Sequence, residues 1–164
     1  MIVATSLIAV LQLLSGGVSL EAPTIGVNAP LVAVGFVESG RYEGQLEVPT
    51  DVLTVGWYKY GGMFGPGNTV LAGHISKPGE RGVFYDLKLL QLGDPVTVKA
   101  DSRAVTYTVA RVATYPKTEF PAEDVFIGDG TPALVLVTCG GAFDQGARSY
   151  EDNVIVWLEP ELIS

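Results

Sequence analysis

Glycine and proline cut this chain into short pieces, and that limits the folds open to it. Twenty glycines and ten prolines are spread over 164 residues, a pattern of β proteins rather than helix bundles. The pieces between them are rich in β-branched residues. Val105-Thr106-Tyr107-Thr108-Val109 alternates in the clearest period of two in the sequence, and with Val96 to Ala100 it predicts a hairpin turning through Asp101-Ser102. Further strands are predicted over 31–37, 45–48, 69–72, 133–137 and 154–158. Asp51 is a candidate cap for one helical turn through Val55, and Phe84, Leu87 and Leu90 are spaced for a short helix or 3₁₀ turn. About eight strands with little helix make a closed β-barrel or a sandwich the natural architecture.

The chain is long enough for one domain with a sizeable core, and 48% of it is apolar against 17% charged, which excludes a disordered chain. A formal net charge of −8, with ten Lys and Arg in all, leaves no basic footprint for nucleic acid. One cysteine allows neither an internal disulfide nor a multi-cysteine zinc site. Residues 1–20 carry no charge and hold an apolar block from Ile2 to Leu14. They are expected to be a signal segment or membrane anchor, the competing reading being a strand or helix of the core. Residues 21–30, with Pro23 and Pro30, are expected to be a linker leading into the barrel, and 31–164 the main domain. Tyr115 to Thr131, with Pro116, Pro121, Gly128 and Gly130, is a long connection, and such connections often bind something.

Three residues carry chemistry. The apolar run 133–137 leads into Cys139, the sole thiol, and Gly140-Gly141 is expected to end the strand there and leave the thiol at its lip. Arg148 follows shortly before the next apolar strand, so two neighbouring strands are expected to hold thiol and guanidinium close together. Positive charge near a cysteine favours the nucleophilic thiolate. His74, the sole histidine, closes the strand 69–72. Cysteine as nucleophile, histidine as acid and base, and arginine as donor to an oxyanion or to substrate carbonyls are the ingredients of acyl transfer. Read on spacing alone, a lone cysteine at a strand end and a lone histidine in the loop after a strand are more often structural.

The local residues go further. Val135-Leu136-Val137-Thr138-Cys139 resembles the sortase nucleophile motif, Leu71-Ala72-Gly73-His74 the segment that delivers the sortase histidine, and Arg148-Ser149-Tyr150 with Asp152-Asn153-Val154 the family's arginine strand. Gly56-Trp57-Tyr58, Gly82-Val83-Phe84, Leu92-Gly93-Asp94, Tyr115-Pro116-Lys117, Phe120-Pro121 and Cys139-Gly140-Gly141 with Phe143-Asp144 are similar to class F sortases in particular. The resemblance implies an all-β fold, a closed eight-stranded sortase-type barrel with short helical turns. It implies a cysteine transpeptidase at a Gram-positive-type cell surface, with His74, Cys139 and Arg148 as catalytic residues. Its substrates would be Leu-Pro-x-Thr-Gly-like sorting signals of surface proteins and the acceptor an amine of the cell-wall precursor. Thr138, Phe120 and Pro121 are the candidate substrate-binding residues, the latter two in a connection expected to wall the peptide groove. No cofactor is implied, and one histidine and one cysteine are too few for a structural zinc. Glu119, Glu123, Asp124 and Asp129 along the connection read as a solvated face rather than a calcium site. Two residues depart from the family pattern. Val135 stands where threonine is common, and Ser76 stands where an acidic residue is expected after the histidine. Two rival readings remain at this level: a thiol peptidase that releases the same acyl-enzyme to water, and a silent barrel that only binds.

Overall fold

The computed structural model describes residues 17–40, 44–61, 63 and 67–161. Ten strands run in order: β1 Ser19–Ala22, β2 Val27–Val34, β3 Val55–Tyr58, β4 Thr69–Ala72, β5 Ser76–Lys77, β6 Glu80–Arg81, β7 Pro95–Ala100, β8 Arg103–Pro116, β9 Leu134–Asp144 and β10 Ser149–Pro160. Eight of them close a barrel in the order β1-β2-β3-β4-β9-β10-β8-β7, and β5 and β6 form a separate two-stranded ribbon. The closure is made by β1 against β7, with Leu20 opposite Val98, so no edge of the main sheet is left open. One short helix, α1 Ala122–Phe126, and three 3₁₀ turns complete the described elements.

Side chains alternate across each strand and fill two apolar layers. Leu20, Leu31, Val55, Leu71, Val96, Val109, Leu134, Leu136 and Val156 meet inside the barrel. Val70, Val135, Val137, Ile155 and Trp157 point the other way and are covered by Val125 and Phe126 of α1, with Phe120, Tyr115 and Tyr58 packed against them. β9 is therefore buried on both faces from Leu134 to Val137, which is why that stretch reads as an unbroken apolar run. It pairs in parallel with β4, the pairing such runs favour.

The structure differs from the sequence reading in several places. Residues 21–30, expected to be a linker that becomes the extended entry to the barrel, are in the barrel from the start: β1 and β2 pair from Ser19–Pro30 to Ala22–Val27, and Pro23 opens the 3₁₀ turn between them. The anchor reading of residues 1–20 lies mostly outside the described residues, although Ser19 and Leu20 are in β1. Among the described residues no helix is long and apolar enough to cross a membrane. The stretch 45–48 is not a strand but makes one bridge, Phe36 to Leu46. Asp51 caps a turn rather than a helix, its Oδ1 accepting the Leu53 amide at 2.9 Å. Lastly, Gly140-Gly141 does not end β9. The strand runs on to Asp144 with a bulge opposite Tyr150–Asp152, and the glycines make that bulge possible. Gly141 sits at φ +72, where a Cβ would overlap the Asp152 carboxylate, and a Cβ on Gly140 would lie 2.7 Å from Val154 Cγ2.

Candidate active site

The parallel pairing of β4 with β9 puts the histidine and the cysteine just past the same end of two neighbouring strands. Their register runs from Thr69–Leu134 to Ala72–Val137, and the Gly73 amide continues it by donating to the Val137 carbonyl at 3.1 Å. His74 and Cys139 each stand two residues beyond the last paired residues, Ala72 and Val137. Cys139 has the parity of Val135 and Val137, so it faces outward at the margin of the apolar layer that α1 covers. It is a free, half-buried thiol.

Several contacts hold His74 at that position. Thr138 is 4% exposed, and its Oγ1 donates to the Gly73 carbonyl at 2.7 Å. The Phe84 amide donates to the His74 carbonyl at 3.0 Å. Gly82 lies against that carbonyl so closely that any Cβ there would overlap it, and a Cβ on Gly73 would lie 2.6 Å from Val83 Cγ1. The two glycine-containing segments 71–74 and 82–84 thus need glycine for close backbone approach. The imidazole Nε2 is 2.8 Å from the Pro49 carbonyl. A carbonyl only accepts, so Nε2 carries the hydrogen, and Nδ1 is the nitrogen left to exchange a proton. This carbonyl fills the orienting role that Ser76 has no charge to supply.

Thr138, a candidate substrate contact, is buried and spends its hydroxyl on the Gly73 carbonyl beside the histidine. Phe120 packs on the outer apolar layer, its ring 6.2 Å from that of Phe126, and Pro121 precedes α1, so both lie on the connection that covers the face Cys139 shares. The structure does not bring Arg148 beside Cys139. The residue opposite Cys139 is Asn153, whose Nδ2 donates to the Thr138 carbonyl at 3.2 Å. Arg148 is five positions earlier, exposed, in the turn before β10 at φ 51, on the order of 15 Å along the strand from that point.

Two of the four acidic residues of the connection have partners of their own. Asp124 pairs with Arg111, and the Thr131 amide donates to Asp129 at 2.9 Å and holds its carboxyl below the usual carboxylate range. Among the described residues no group of three or more His, Cys, Asp or Glu is arranged to hold a metal.

The Sortase domain family matches residues 20–161, which is almost the whole chain. The chain belongs to the sortase family. Its barrel is similar to the crystal structure of sortase C-1 from Actinomyces oris, with a TM-score of 0.69 and 18% identity over 93% of this chain and 78% of that one. Sortase C1 from Streptococcus agalactiae matches with a TM-score of 0.65 and 22% identity, over 92% and 69% of the two chains. A lid mutant of sortase A from Corynebacterium diphtheriae matches with a TM-score of 0.64 and 15% identity, over 90% and 71%. No curated protein matches the chain. At these identities the structural likeness speaks for the fold, and the family match makes this sortase a cysteine transpeptidase with one cysteine to serve it.

Proposed function

We propose that this sortase cleaves a Leu-Pro-x-Thr-Gly-like sorting signal between Thr and Gly and passes the threonyl group to an amine of the cell-wall precursor, at the outer face of the membrane, with the apolar stretch before β1 as its tether. Cys139 Sγ attacks the threonyl carbonyl, the carbon–nitrogen bond breaks, and His74 gives its proton to the departing glycyl amine. The incoming amine loses a proton to His74 as it attacks the thioester, and Cys139 leaves as thiolate. Arg148, standing at the far end of the β9–β10 hairpin, holds main-chain carbonyls of the extended substrate through its planar fork. Phe120 and Pro121 form the apolar wall on which the leucyl-prolyl end rests. The observation that supports the reading is the parallel register of β4 and β9, with His74 and Cys139 each two residues past its last pair, at the margin of an outward apolar face. The class F likeness rests on the sequence motifs alone.

The test is a Leu-Pro-x-Thr-Gly peptide offered with hydroxylamine or a short peptide having a free N-terminus, the products being read by mass spectrometry. Transfer gives a conjugate whose yield rises with amine concentration while total cleavage holds or increases. Cleavage that yields only the free threonine carboxylate with every amine assigns the protein to the peptidases. No cleavage of any such peptide removes the substrate class.

A further inference from the structure

The half of the β9–β10 hairpin beyond Cys139 projects from the barrel. β4 leaves β9 after Ala72–Val137, β8 leaves β10 after Pro116–Asp152, and residues 141–148 are exposed. Two adjacent side chains tie this half to the body on opposite sides. Ser149 Oγ accepts from Lys117 Nζ at 2.7 Å. Tyr150 Oη shares a hydrogen bond of 2.7 Å with Ser76 Oγ, half-buried and spanning 74 positions, and its ring stands edge-on to Phe143 at 5.1 Å.

Ser76 belongs to the loop that His74 opens. That loop closes on itself through β5 and β6, with Ser76 opposite Arg81 and the Gly82 amide donating to Ile75 at 2.9 Å. Its other anchors are the Pro49 carbonyl on the His74 ring and the neighbouring Thr50 carbonyl on Lys77. We infer that the Ser76–Tyr150 hydroxyl pair is a strut that fixes the His74 loop against the hairpin carrying Cys139 at its root and Arg148 at its tip, and so sets how the imidazole meets the thiol. Both are positioning residues acting through His74. The inference rests on the proposed thiol–imidazole chemistry, but not on any particular peptide.

The experiment therefore uses a readout that needs no substrate: the rate of Cys139 alkylation by iodoacetamide in the folded protein between roughly pH 5 and 10, with thermal unfolding alongside. Ser76→Ala and Tyr150→Phe are each expected to slow alkylation at neutral pH by about fivefold, the equivalent of one ordinary hydrogen bond. The double variant should slow no further, because one bond is removed once. Ser76→Thr keeps the hydroxyl and should label as the parent does. Lys117→Met removes the tie on the other flank and should leave labelling unchanged. Parent-like labelling of both Ser76→Ala and Tyr150→Phe, or equal slowing by Ser76→Thr, overturns the strut and leaves the transpeptidase reading standing. A parent protein whose Cys139 reacts only after unfolding removes the active-site reading first, and the strut with it.

Discussion

Replacing Thr138 by valine separates a brace from a substrate contact. Valine has nearly the shape of threonine, so the buried site stays filled and no cavity opens. What is lost is the Oγ1 bond to the Gly73 carbonyl, 2.7 Å long and buried. The carbonyl is left in a dry place facing a methyl group, a loss of about 1–3 kcal/mol. For a chain of this size about 2 kcal/mol lowers Tm by roughly 4–8 °C. Gly73 is also the residue that delivers His74, so the same change should lower the turnover of a sorting peptide and leave its KM nearly unchanged. Thermal unfolding by circular dichroism and steady-state peptide cleavage read the two effects, with Thr138→Ser as the control that keeps the hydroxyl and loses the methyl. If Thr138→Val melts with the parent and raises KM instead, Thr138 touches substrate and the bracing argument is refuted. If Thr138→Ser is the less stable of the two, the methyl matters more than the bond.

Cys139→Ala removes one small, half-buried atom; it should melt with the parent and lose all acyl transfer, and conjugate above background in mass spectrometry would end the cysteine mechanism. Arg148→Lys keeps the charge but not the fork, so kcat/KM for the peptide should fall about tenfold or more, the loss of one charge-assisted hydrogen bond to a substrate carbonyl, and near-parental kinetics would reduce Arg148 to a source of charge. Burial pushes the Tyr107 hydroxyl above its ordinary 10.0, against a smaller opposite pull from Arg103. The unfolded chain then ionises Tyr107 before the folded one does, so this contribution is complete below pH 10 and is lost as pH rises through the folded value. Tyr107→Phe should lose less Tm than the parent between about pH 9 and 11; equal slopes would place the alkaline loss elsewhere.

Much of the barrel was legible because its strands are punctuated. Thr69–Ala72 was readable to the residue, and the hairpin of β7 and β8 was placed correctly around Asp101-Ser102. Here glycine, proline and alternation all point the same way. Residues 21–30 were misread because two prolines in ten residues look like a linker. Proline costs nothing, however, at a 3₁₀ start such as Pro23, nor at the outward position that Pro30 holds in β2. Gly140-Gly141 was misread for a related reason: a glycine pair marks either a strand end or a bulge, and only the neighbour across the ladder, Asp152, decides which.

The site was legible to the extent that residue type carries chemistry. One thiol and one imidazole leave no choice of nucleophile or base, and the family likeness supplied their pairing. What holds them carries no such mark. The group that orients His74 is a main-chain carbonyl, and every residue has one, so nothing in the type of Pro49 announces the role. Ser76 and Tyr150 are common residues far apart in sequence, joined only after the barrel closes. Arg148 shows the converse. Its type announced a role beside the thiol, but position relative to Cys139 depends on strand register, and register depends on where the bulge falls. The bulge at Gly141–Ala142 and the turn before Ser149 together set Asn153, not Arg148, opposite the thiol. An arginine so placed suits the proposed role of holding a substrate that lies extended along the hairpin. An extended peptide spans about 3.3 Å per residue, so four or five residues cover that distance, about the length of a Leu-Pro-x-Thr-Gly signal.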